Sequence, residues 1–183
     1  MNVKTGPYAL TAVLAAFFLL ACFSASGKGR GFSIGGTAAF QGIGFSAEIP
    51  DRSGAAFHSM TLTDDMIFVL VGEASFPGIK GTWHYNIPFK SGVSRYGHRY
   101  DFYAGPGITA GYVRNRDNRR GLMSGVTVDA GFRILLDKST VISLEFQADM
   151  ALIFKNKDNP NLSLYESGYA FSYLPHLKIM HKF

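Results

Sequence analysis

Residues 140–154 read Thr140-Val141-Ile142-Ser143-Leu144-Glu145-Phe146-Gln147-Ala148-Asp149-Met150-Ala151-Leu152-Ile153-Phe154. Every even position from Ile142 to Phe154 is apolar, while the odd positions carry Ser143, Glu145, Gln147 and Asp149. A period of two means an extended chain whose successive side chains leave opposite faces. A helix would gather its apolar residues at intervals of three and four instead. The strand also outruns the ~5–6 residues usual in soluble sheets.

The same design recurs upstream. In 121–136, Leu122, Val126, Val128, Ala130, Phe132, Ile134 and Leu136 share one face, with Thr127, Asp129 and Arg133 on the other among glycines. The polar turn Asp137-Lys138-Ser139 joins this segment to the next. Residues 98–113 set Tyr100, Phe102, Ala104, Ile108, Ala110 and Tyr112 against Arg99, Asp101 and Thr109. Residues 79–89 set Ile79, Trp83, Tyr85, Ile87 and Phe89 against Lys80, Thr82, His84 and Asn86.

Each of these segments reaches or exceeds the ~9–11 residues with which a tilted strand crosses a bilayer. Hydrocarbon offers no hydrogen-bond partner, so a sheet crossing it must close on itself. The pattern therefore predicts an all-β protein, an antiparallel up-and-down transmembrane β-barrel with its apolar face toward lipid and its polar face in the lumen. A soluble β-sandwich shares the alternation but uses shorter strands. Trp83, Phe89, Tyr100, Tyr112, Phe154 and Tyr169 suit the aromatic girdles of a membrane barrel.

Composition agrees. The chain has 183 residues, a net charge of +5, 47% hydrophobic residues, 14% aromatics and 21 glycines, which excludes ordinary disorder. The single cysteine, Cys22, excludes an intrachain disulfide framework and a Cys-rich zinc site. The basic stretch 114–120, Arg114 to Arg120, reads as a solvated loop, and no nucleic-acid partner is expected.

The N-terminus reads as an address. Lys4 precedes the apolar run Ala9–Ala21, and the small residues Ser24, Ala25, Ser26 and Gly27 follow. This predicts a signal peptide over 1–26, cleaved near 26/27, with 27–183 as the barrel domain. Leu19-Leu20-Ala21-Cys22 offers a lipobox as the competing cut, which would lipidate Cys22.

The C-terminal segment 168–183 sets Tyr169, Phe171, Tyr173, Leu177, Ile179 and Phe183 on one face, with Ser172, His176, Lys178 and Lys182 on the other. With this segment the chain resembles small bacterial outer-membrane β-barrel proteins of the eight-stranded type, over roughly 31–183. Their last strand alternates in this way and stops at a terminal Phe. Pro175 and His181 depart from the pattern. The resemblance implies a Gram-negative, porin-like cell-envelope protein in the outer membrane. It implies contact with outer-membrane lipid and lipopolysaccharide, and with the barrel-assembly machinery through the strand ending at Phe183.

Seven segments are visible: 31–49, 55–74, 79–89, 98–113, 121–136, 140–154 and 168–183. A single-chain bacterial barrel uses an even number, so eight strands are expected. Paired acids signal a turn, which favours splitting off 66–74 at Thr63-Asp64-Asp65-Met66. The competitor is a break at Gln41-Gly42, where the apolar phase slips between Phe40 and Ile43.

The faces place Lys80, His84, Arg99, Asp101, Asp129, Arg133, Glu145, Asp149, His176 and Lys178 in the lumen. An eight-stranded barrel is just wide enough for such side chains to fill it. The function expected is a non-enzymatic barrel with a charge-filled lumen and a structural or loop-mediated binding role, the loops being 114–120 and 155–166. The alternatives are a lipid A-modifying deacylase or acyltransferase, or a narrow pore. His58, His84, His98, His176 and His181 are the candidate bases, and none has the His-any-Ser spacing of the deacylases. Gly105-Pro106-Gly107 lacks the spacing of a nucleotide loop. No catalytic, cofactor-binding or metal-ligating residue is assigned, and no cofactor is expected.

Overall fold

The computed structural model describes residues 31–70, 77–114, 120–154, 162–170 and 172–183. The expected signal peptide and lipobox lie outside them. Among the described residues nine strands form: β1 (Ser33–Ala39), β2 (Gly42–Pro50), β3 (Phe57–Asp65), β4 (Gly78–Val93), β5 (Arg99–Arg114), β6 (Arg120–Leu135), β7 (Thr140–Phe154), β8 (Leu162–Leu164) and β9 (His176–Lys182). Two helical turns interrupt them, α1 (Ile67–Leu70) and α2 (Glu166–Ala170).

Every neighbour in the chain from β1 to β7 pairs antiparallel, β7 pairs β9, and β9 returns to β1. The sheet closes. The short β8 continues the last stave above β9, so the wall is an eight-stranded up-and-down barrel. Short turns at 51–56, 94–98 and 136–139 gather at one end with Phe183, here the turn end. The opposite, loop end is marked by Asp65 and Gly78, Arg114 and Arg120, and Phe154 and Leu162, where these strands end or begin.

Burial follows the alternation, with polar residues inside. Asp149 is 1% exposed and its neighbour Met150 is 68% exposed, the reverse of a water-soluble fold. Val126, Val128, Ile108, Ile179 and Phe154 are likewise exposed, whereas Thr127, Asp129, Thr109 and Lys178 are buried. The outer wall is thus a predominantly apolar belt, the surface that hydrocarbon accepts. Toward the turn end, Phe102, Phe132 and Tyr100 pack together at 4.9–6.0 Å as an aromatic girdle. Trp83 stands away from the strand ends, paired with Met60 and Ile108 and stacked on His58.

Three boundaries differ from the sequence reading. The extra strand comes from the Gln41-Gly42 break, which separates β1 from β2; residues 66–70 do not form a strand, and 71–74 lie outside the described residues. Asp64 and Asp65 end β3 rather than centre a turn. Asp64 accepts from the Ile43 N–H at 2.6 Å, Asp65 points into the lumen, and the Met66 N–H bonds Gln41 at 2.7 Å. The acids are spent tying β3 to the β1–β2 turn. The second difference is at the C-terminus, where the expected strand 168–183 shrinks to β9. Pro175, just before it, has no N–H to give a ladder, and the chain above forms α2 instead; Phe171 lies outside the described residues. β4, in contrast, extends four residues beyond the expected Phe89 to Val93, past a register shift between Pro88 and Lys90.

The turn 137–139 rests on one carboxylate. Asp137 accepts from the Ser139 N–H (2.7 Å), the Ser139 hydroxyl (2.9 Å) and the Thr140 N–H (2.7 Å). The backbone bond from Ser139, then those from Thr140 and the Ser139 hydroxyl, hold its pKa down to about 2. A carboxylate depressed on folding stabilises above its unfolded pKa, near 3.9, and loses that contribution as pH falls toward 2. Asp137→Ala should lower the urea midpoint of the barrel at pH 7, and the gap from wild type should close between pH 4 and pH 2. A gap independent of pH would contradict this role.

Candidate functional site

The ten side chains expected in the lumen all lie on inward faces, and most are locked in pairs. From the turn end, Arg133 donates Nε to Asp101 at 2.9 Å and Nη1 to Glu48 at 3.3 Å, and stacks 3.9 Å above the Phe57 ring. Arg99 remains exposed at that rim. One layer up, Lys178 meets Glu145 at 2.6 Å and donates to Ser59 at 2.9 Å, while the Tyr103 hydroxyl donates to the other Glu145 oxygen at 3.0 Å. Lys178 and Glu145 are both fully buried.

Above them His84 lies 3.1 Å from the Thr127 hydroxyl and 3.6 Å from Asp129, which accepts from Asn86 at 3.2 Å. Toward the loop end Lys80 pairs with Asp149 at 2.7 Å and donates to Gln41 at 3.1 Å; Gln147 completes Asp149 at 2.8 Å. The loop end is then capped by apolar packing. Val113, Met123, Ala151, Ile153 and Tyr165 form a buried cluster, and the Tyr165 hydroxyl donates to Asp65 at 2.9 Å.

Glycine makes this filling fit. A Cβ on Gly107 would stand 2.6 Å from the His84 ring and 2.9 Å from Thr127, and one on Gly131 would stand 2.6 Å from the Tyr103 hydroxyl. The inward glycines are spaces for larger neighbours across the lumen.

Hydroxyl, imidazole and carboxylate meet at Thr127, His84 and Asp129, the order of a nucleophilic triad. All three are 4% exposed or less. A cavity of about 180 Å³ lies at the turn end, lined by Glu48, Phe57, Arg99, Asp101, Arg133 and Lys182, and none of the triad borders it. Buried on every side, the trio forms one polar layer of the lumen filling. His58 faces outward against Trp83 and Tyr85, His181 packs on Phe183, and His98 closes the 94–98 turn, its backbone N–H on the Ser94 hydroxyl at 3.2 Å. Among the described residues no group of three His, Cys, Asp or Glu is arranged to hold a metal.

Sequence reading missed Glu48, Tyr103, Asp65 and Tyr165. Tyr103 shares the parity of Asp101, so alternation alone could have placed it inside. Glu48 comes into phase only once the Gln41-Gly42 turn is recognised. The joining of Tyr165 to Asp65 has no local signal, because it spans 100 residues.

No protein-family description matches the chain, and no curated protein is detectably similar in sequence. Among solved structures it is similar to the N-terminal β-barrel domain of OprF from Pseudomonas aeruginosa. The identity is 12% over 84% of this chain and 96% of that one, with a TM-score of 0.47. It is also similar to a major outer membrane protein from Thermus thermophilus, at 13% identity over 85% of this chain and 100% of that one, with a TM-score of 0.47. The barrel assignment rests on the closed ladders described above.

The layers predict a specific energetic signature. Lys178→Met strands the Glu145 charge in the interior and should cost about 3–5 kcal/mol, the usual penalty for breaking a buried pair. Adding Glu145→Gln removes that orphan charge and should recover most of the loss. Urea midpoints of the folded band in detergent gels measure both; equal losses in the single and double variants would contradict the buried pairing.

Proposed function

We propose that this protein is a non-enzymatic outer-membrane barrel, exported through its N-terminal segment, that serves the envelope as a structural element and presents loops to partners outside. The observation that carries the reading is the union of an apolar outer wall with a lumen filled by paired charges. Lys80–Asp149, Lys178–Glu145 and Arg133 between Asp101 and Glu48 occupy successive levels. Tyr165 and its apolar neighbours cover the loop end. Such a filling supports a stable wall and leaves no passage for solutes, which favours structure over a narrow pore. In this orientation the turn end faces the periplasm, lipid and lipopolysaccharide meet the belt, and β9 is the strand offered to the barrel-assembly machinery. The expected loop 155–166 is shortened by β8 and Tyr165, so the connecting segments proposed to meet outside partners are 115–119 and 155–161.

Purified protein reconstituted in planar bilayers should give no conductance steps, and its unboiled band should migrate differently from the boiled one, as a closed barrel does. Regular steps would replace the structural reading with the pore. Exchanging both loops for short turns should leave this mobility shift intact; its loss would make the loops part of the scaffold. Deleting the protein from cells should leave lipid A masses unchanged, and an acyl-group difference restored by wild type but not by Thr127→Ala would establish the enzyme instead.

A further inference from the structure

One part of the wall is not a ladder. β7 pairs β9 from Thr140 to Glu145 and β8 from Leu152 to Phe154, and Phe146–Ala151 between them meets α2 rather than a strand. Hydrocarbon cannot satisfy the backbone groups of such an edge. The two registers also disagree. Continued upward from Glu145↔His176, the β9 ladder would set Ala170 opposite Ala151. The structure sets Tyr165 there, with its N–H on the Ala151 carbonyl at 2.9 Å. The last stave carries five residues more than a continuous ladder needs, folded into α2 and the turn after it.

The sequence of that fold-back is itself written for a strand. Taken upward from β9, Leu174, Ser172, Ala170 and Gly168 continue the inward parity of His176, and Tyr173 continues the outward parity of Leu177. Pro175 does not forbid it, since Pro106 already sits within β5 opposite Val128.

We propose that the last stave is a register switch. In the plugged state described above, α2 fills the seam and Tyr165 seats in the lumen, latched on Asp65. In the ladder state the chain slips by five residues, β9 extends along Phe146–Ala151, and Tyr173 comes opposite Ala148. The slip completes the wall's hydrogen bonding. It carries Glu166, now exposed at the height of the apolar Met150, up past Phe154 and out of the belt. It also draws Tyr165 away from Val113, Met123, Ala151 and Ile153, which opens the loop end of the lumen. The gain in ladder and the loss of the Tyr165 contacts oppose each other, which is what makes the element bistable. This inference rests on the membrane reading of the barrel.

Cysteine pairs test it in the full chain with Cys22→Ser, reconstituted in bilayers and oxidised. Leu144→Cys with Leu177→Cys reports the ladder present in both states. Ala148→Cys with Tyr173→Cys has the same parity in that register and reports the ladder state alone. Both should cross-link, and Tyr165→Phe, which removes the latch to Asp65, should raise the yield of the second pair by up to about tenfold, the factor one net hydrogen bond supports. Cross-linking of the first pair without the second would fix α2 in place and overturn the switch. A second pair indifferent to Tyr165→Phe would overturn the latch. Failure of the first pair would overturn the barrel closure, and the switch with it.

Discussion

Every feature of this molecule follows from the need to give each backbone N–H and C=O a partner where the surroundings offer none. A sheet in hydrocarbon meets that need only when its first and last strands join. Here the joining pair is β1 and β9, with Ser33 opposite Lys182 and Leu177 opposite Ala38. It brings the two ends of the described chain together at the turn end, where Phe183 donates its N–H to the Phe32 carbonyl and their rings stack at 4.8 Å. Closure then fixes parity around the whole circuit, because a one-residue slip in any ladder would turn a full strand inside out.

Parity in turn creates the lumen's chemistry. With lipid outside, the polar half of each strand is confined to a space about as wide as its own side chains. Charges placed there have lost water and must find one another. Desolvation makes buried pairs poor sources of net stability, so their value here lies elsewhere. Each pair joins strands far apart in sequence: Lys80 on β4 with Asp149 on β7, Lys178 on β9 with Glu145 on β7, Arg133 on β6 with Glu48 on β2. A strand out of register would leave several charges buried and alone. The filling therefore specifies the register that closure requires, and the inward glycines keep room for it.

Alternation made β4 to β7 legible with few errors, since a half-lipid, half-polar strand has the strongest two-residue signal a sheet can carry. It also placed Lys80, His84, Asp129, Glu145 and Lys178 inside before any partner was known. Which of them meet could not be read, because pairing across a lumen depends on strand stagger rather than on spacing. The short strands were harder. β1 and β2 are separated by only Phe40 and Gln41, and the phase slip there is the whole signal. The pair Asp64-Asp65 looked like a turn because side-chain acids so often cap their own backbone; these two bond Ile43 and Tyr165, distant partners that no local rule contains.

The misread C-terminal strand is of another kind. Residues 168–183 do alternate as a strand should, yet only His176–Lys182 is one. Local pattern and tertiary structure disagree along one continuous segment, and the disagreement falls at the longest break in a ladder among the described barrel strands. In a consistent sequence local preference and global fold point the same way, and departures gather where a protein trades stability for something else. Two demands compete for these residues: the lumen gains by taking Tyr165 as its apolar cap, and the β7 edge gains by taking the same stretch of chain as a ladder. The chain cannot satisfy both at once, since seating Tyr165 opposite Ala151 leaves five residues more between it and His176 than a ladder along β7 can take. That conflict is set by geometry alone, and it is the reason the seam differs from every other join in the barrel.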